Sequence, residues 1–189
     1  MYTLEEVKAF VYGCKKCKLH KGRTKVVFGQ GNKNADIMFV GEGPGYYEDK
    51  EGVAFIGPAG QLLTKAIEAI GFTRDEVYIA NIVKCRPPNN RNPEKDEMQA
   101  CIPYLRWQVK LIKPSIIVCL GKIAAINIID TNLKITQDRG KWHCKKDIWI
   151  LPTYHPSAVL RDALKKRPFW EDFKKVKEKY EELKEQENK

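Results

Sequence analysis

Cysteines, a glycine-rich run and a few isolated polar residues are the parts of this sequence equipped for chemistry. Cys14 and Cys17 form a Cys-x2-Cys pair, and Cys85 and Cys101 are single cysteines separated by fifteen residues. Four thiolates suit zinc or an iron–sulfur cluster. Structural zinc usually shows two close pairs, so this spacing leaves zinc, a cluster and unligated thiols all open. Cys119 sits in an apolar run and reads as core packing, while Cys144 has no partner in sequence. The run Gly41-Glu-Gly-Pro-Gly45 departs from the dinucleotide fingerprint and lacks the Gly-Lys-Ser/Thr of a P-loop, so no nucleotide cofactor is expected. Its glycines let backbone N–H groups approach a planar ligand, and Glu42, Glu48 and Asp49 place carboxylates beside it. The ordinary alternative is a tight turn with a solvated acidic loop. Asn81 offers an amide that both donates and accepts on a base edge, and His155 can hold a developing oxyanion. Taken singly, an Asn or a His is more often a cap or a satisfied core group, and Phe55 alone would be core.

These residues need elements to position them. Thr3 and Glu6 make a capping box ahead of Leu4, Val7, Phe10 and Val11, which predicts a first helix that delivers Cys14 and Cys17. Apolar runs at Ile37 to Val40, Val77 to Val83, Ser115 to Leu120 and Ile148 to Leu151 predict four strands. Helices are expected over Gln61 to Ile70, Glu97 to Ile112 with a bend near Pro103, and Lys122 to Ile129. Strands alternating with helices imply a three-layer α/β/α fold around a central four-stranded parallel sheet. Ligands then belong at the strand C-termini, where Gly41, Asn81 and His155 all fall. One domain over residues 1–189 is expected, with 169–189 a Lys/Glu-rich helix read as a solvated face.

The 34 Lys plus Arg against 24 Asp plus Glu leave a net charge of +10, which points to a polyanionic partner such as nucleic acid. The opening residues lack the apolar core of a signal peptide, and no apolar run approaches the roughly 18 to 20 residues that span a bilayer. A cytoplasmic protein with no membrane role is therefore expected, where cysteines serve as thiols or metal ligands rather than disulfides.

Taken together, Gly41-Glu-Gly-Pro-Gly45 with Glu48 and Asp49, Phe55, Ala59-Gly-Gln-Leu-Leu63, Tyr78-Ile-Ala-Asn-Ile-Val-Lys-Cys-Arg-Pro-Pro88, Arg139-Gly-Lys141 and His155-Pro-Ser157 closely resemble the iron–sulfur (family 4) uracil-DNA glycosylases. The resemblance runs from Cys14 to about Arg161. It implies a [4Fe-4S] cluster on Cys14, Cys17, Cys85 and Cys101, and a uracil pocket from Glu42, Gly43, Glu48, Phe55, Asn81 and His155. It further implies a monomer that acts on uracil-containing DNA, single- or double-stranded. His155 would stabilise the leaving base, and Glu42 or Glu48, with Glu48 preferred, would orient water. Lys15, Lys16 and Lys18 beside the first cysteine pair are candidate DNA contacts, Val159 and Leu160 candidate wedges into the base stack, and Arg161 a candidate phosphate contact. Tyr46 and Tyr47 stand where relatives often carry acidic residues, and Ala54 and Pro58 replace a frequent Pro and a basic residue. Covalent-trapping relatives carry a basic insert with an extra His after the first motif, and this chain has none, so turnover is expected. Two rival readings are a non-catalytic iron–sulfur nucleic-acid-binding module and a same-fold glycosylase for hypoxanthine.

Overall fold

In the computed structural model, which describes residues 2–188, the sheet has six strands in the order β1-β3-β2-β4-β6-β5. These are β1 (Gln30–Gly31), β2 (Ile37–Gly41), β3 (Tyr78–Asn81), β4 (Ile116–Leu120), β5 (His143–Lys145) and β6 (Ile148–Thr153). The four inner strands are mutually parallel, as the apolar runs predict. The sheet extends beyond the expected four because β1 pairs antiparallel with β3 and β5 with β6. Neither edge strand has an apolar signature. β1 is two residues long, and β5 is a polar strand that reaches β6 through Lys146 and Asp147, both at positive φ.

Alternation along the inner strands builds two cores. Met38 and Val40 of β2 join Ala80, Ile117 and Cys119 beneath α1 (Leu4–Tyr12), α4 (Lys95–Ile112) and α5 (Lys122–Ile128). Ile37 and Phe39 face the other way, with Ile79, Val118 and Leu151, against α3 (Pro58–Ala69) and α8 (Lys166–Glu187). Three shorter helices lie between them: α2 (Tyr46–Glu51), α6 (Ile135–Asp138) and α7 (Pro156–Arg161). The Thr3 capping box forms as expected, with the Glu6 N–H donating to the Thr3 hydroxyl and the Thr3 N–H to the Glu6 carboxylate.

The tail is not merely a solvated face. Phe169, Phe173 and Val176 of α8 are buried in the second core, and Phe173 stacks on Phe39 at 5.6 Å. Asp172, fully buried, accepts two hydrogen bonds from Arg139 and one from the Thr153 hydroxyl at the end of β6. The charged residues hid a 3.6-residue apolar stripe of only a few positions. Met1 and Lys189, the two ends of the expected domain, lie outside the described residues.

Candidate active site

Cross-strand register sets the site. Gly41, the last residue of β2, pairs with Asn81, the last of β3, and β6 ends at Thr153, two residues before His155. A cavity of about 430 Å³ opens at these strand ends, and Glu42, Gly43, Glu48, Phe55, Asn81, His155 and Arg161 all line it. Residues scattered over more than a hundred positions of sequence are thus brought to one rim, as a parallel sheet requires.

Phe55 holds a costly conformation there. Its φ is +52°, a left-handed backbone that costs a bulky residue about 1 to 3 kcal/mol and persists only where the surroundings over-determine it. Arg74 supplies that determination by donating to the carbonyls of Phe55 (2.9 Å) and Ala54 (2.7 Å) and to the Thr64 hydroxyl (3.0 Å). A side chain at Gly60 would sit 1.9 Å from the Phe55 carbonyl oxygen, and one at Gly41 would strike the Phe55 ring at 2.4 Å and Asn81 Oδ1 at 2.6 Å. Both positions therefore require glycine, for the close approach of Phe55 rather than for their own backbone angles. Arg74 carried no signal in the sequence, because its role depends on a loop conformation that no motif encodes.

The two carboxylates differ. Glu48 accepts from the N–H groups of Gly45 (3.1 Å), Ile56 (3.0 Å) and Gly57 (2.8 Å), tying α2 to the Phe55 loop. A carboxylate committed to three backbone donors is a loop anchor, which weighs against the expected preference for Glu48 as the water-orienting group. Glu42 accepts no such hydrogen bond among the described residues, and burial raises its pKa above the ordinary carboxylate value. It is the one of the pair left to engage a ligand or water.

Asn81 is 2% exposed, and its Oδ1 is buried without a hydrogen-bond partner among the described residues. Such an acceptor costs about 1 to 3 kcal/mol unless a ligand supplies the donor. His155, half-buried, caps α7. Its Nδ1 accepts from the Ser157 N–H (3.1 Å) and lies 2.8 Å from the Ser157 hydroxyl. That acceptance places the imidazole proton on Nε2, which makes no hydrogen bond to the described residues. Burial first, then the positive charge of Arg161, lower the His155 pKa to about 4, so the ring is neutral at physiological pH. The rings of Phe55 and His155 lie 5.7 Å apart, tilted by 31°.

Residues 28–176 match the Uracil DNA glycosylase superfamily. The chain belongs to that superfamily. It is 50% identical to a type-4 uracil-DNA glycosylase of Sulfurisphaera tokodaii, an alignment covering 94% of this chain and 85% of that protein. A type-4 uracil-DNA glycosylase of Saccharolobus solfataricus is 46% identical, with 94% and 87% covered, and one of Thermotoga maritima 45% identical, with 94% and 96% covered.

In this member of the superfamily the cysteines fall into two groups. Cys14, Cys17, Cys85 and Cys101 line one small cavity, whereas Cys119 is buried in β4 and Cys144 is exposed on β5. Arg23 donates to Cys85 Sγ and the Lys84 N–H to Cys101 Sγ, both at 3.3 Å. Among the described residues no three His, Cys, Asp or Glu side chains converge as ligands to a single metal ion. The donor set fits a cluster, whose thiolates each bind a different iron and so need not meet at one point.

The candidate DNA contacts divide. Val159 is 1% exposed and packs in the second core, so it is no wedge; it lies on the inner side of α7, while Leu160 beside it is 50% exposed. Lys18 is paired with Glu94, and Lys16 lies over the Tyr104 ring at 5.0 Å. Lys15 is exposed, and neither it nor Arg161 forms an ion pair among the described residues. Arg23 is committed to Cys85 and to the carbonyls of Cys14 and Tyr12. No described helix is long and apolar enough to cross a membrane.

Proposed function

We propose that this protein is a uracil-DNA glycosylase of base excision repair, one that flips uracil out of DNA, hydrolyses its N-glycosidic bond and leaves an abasic site. The observation that carries the reading is the orphaned buried Oδ1 of Asn81 at a cavity walled by Phe55 and His155. Uracil presents an N3–H donor beside an O4 acceptor, which an amide matches with its oxygen and its NH2. Extrusion of the nucleotide costs a few kcal/mol, offset by stacking on Phe55 and by this paired contact. As the bond to the sugar breaks, negative charge gathers on uracil O2. The His155 Nε2–H, with the Gly43 backbone N–H, donates to that oxygen, so the base leaves as an anion. Glu42 orients water toward the cationic sugar and, when ionised, stabilises it. Glu48 holds the loop that closes on C5 of the base and crowds a thymine methyl.

Free uracil should accordingly bind this cavity and raise the thermal midpoint, with about 2.7 kcal/mol of added stability at a hundredfold excess over its Kd. Thymine should not. Equal stabilisation by both bases would contradict the assignment of the Phe55 and Glu48 loop.

Cys14, Cys17, Cys85 and Cys101 would hold a [4Fe-4S] cluster. These four side chains would then tie the segment after α1, the loop after β3 and α4 together. Purified protein should contain about four irons per chain. Cys101→Ser should lose iron and folded stability together. Stoichiometric zinc in protein prepared without oxygen would overturn the cluster.

A further inference from the structure

Two large aromatic side chains stand in water at the mouth of the cavity. Tyr46 and Tyr47 open α2, are 53% and 54% exposed, and both line the rim. Their rings meet edge to face at 5.5 Å, and about half of each residue stays exposed. Burial of apolar surface does not explain them. The ground beneath them is fixed: Glu48 binds three backbone N–H groups, and the Asp49 carboxylate accepts from the Thr24 N–H at 2.9 Å. Arg86 lies over the Tyr46 ring at 5.2 Å, and its Nε donates to Asn90 Oδ1 at 2.7 Å, joining α2 to the opposite rim loop. Neither Arg86 nor Arg161 forms an ion pair among the described residues, so Arg161 on the rim and Arg86 beside Tyr46 offer positive charge to phosphates.

We infer that Tyr46 and Tyr47 form a stacking platform for the unpaired bases flanking the extruded uridine, so that the protein grips single-stranded DNA by stacking as well as by charge. The inference rests on the uracil reading of the cavity. Every base has a π-face, so aromatic stacking holds a strand regardless of sequence, and each stacked base is worth roughly 5- to 150-fold in affinity. In a duplex the neighbouring bases remain stacked on one another and have less to gain. An aromatic pair on the rim of the base cavity, carried by a helix that Glu48 and Asp49 hold in place, is placed for the nucleotides that must arrive with the uridine.

The test uses a single-stranded oligonucleotide with one 2′-fluorinated deoxyuridine, whose glycosidic bond resists cleavage, and the same sequence as a duplex. Changing both tyrosines to Ala should weaken single-strand binding tenfold or more and duplex binding less, without altering the slope of log affinity against log salt. Changing both to Phe should restore binding, since the ring and not the hydroxyl stacks. Single-strand affinity within twofold of the parent in the Ala variant would overturn the platform. A shallower salt slope would do so as well, because it would signify lost phosphate contacts. Uracil release by the parent protein is measured alongside. If the parent releases uracil and the Ala variant binds as tightly, only the platform fails; if the parent releases none, the uracil reading fails and the platform with it.

Discussion

Replacing His155 by Ala is expected to lower single-turnover uracil release roughly a hundredfold or more, with little change in DNA affinity, the behaviour of a donor that matters only in the transition state. The geometry requires a neutral ring. Ser157 fills Nδ1 from the backbone, the proton sits on Nε2, and burial with Arg161 nearby holds the pKa at about 4. A solvated histidine titrates near 6.5, so the rate should show no inflection there. The sign for stability follows from the same depression. Between pH 6.5 and about 4 the unfolded chain binds a proton at His155 that the native protein does not, so stability falls as pH drops through that window, and His155→Ala should remove this part of the fall. Acid loss of activity belongs instead to Glu42, whose pKa burial raises above the ordinary carboxylate value, and Glu42→Gln should abolish that limb. Parental rates in His155→Ala would place the chemistry on Glu42 alone.

Asn81→Asp should change which base is accepted. A carboxylate only accepts, so uracil O4 loses its donor while the amino group of cytosine gains an acceptor. A paired base-edge contact is worth about 1 to 3 kcal/mol, so uracil release should fall roughly 5- to 150-fold and some cytosine release should appear. Asn81 is buried at the end of β3 beside Gly41 and lines the cavity, so the new carboxylate takes the amide's place at the base edge. Unchanged uracil release with no cytosine release would remove Asn81 from base recognition. Thermal midpoints of both variants separate this outcome from unfolding.

The apolar runs of β2, β3, β4 and β6 were legible because strands buried on both faces must be apolar throughout, and their ends placed Gly41, Asn81 and His155 together. The edge strands were not, since β1 and β5 are held by one neighbour each and carry no pattern. What a side chain does within the site was also hidden. Glu42 and Glu48 look alike in sequence, and only the three backbone donors around Glu48 distinguish the anchor from the open carboxylate. Val159 and Leu160 are adjacent and equally apolar, yet the turn of α7 buries one and exposes the other. Long-range partners such as Arg74 for the Phe55 loop, or Arg139 and Thr153 for Asp172, follow from the packed fold alone.

The most direct measurement is single-turnover release of free base from matched oligonucleotides that carry one uracil, one thymine or one hypoxanthine. The account predicts rapid release of uracil, no release of thymine because its methyl meets the loop anchored by Glu48, and slow or no release of hypoxanthine, which repeats the uracil edge with its N1–H and O6 but must seat a second ring beside Phe55. Absence of any free base would leave a non-catalytic nucleic-acid-binding protein, and hypoxanthine released faster than uracil would assign the cavity to a different deaminated base.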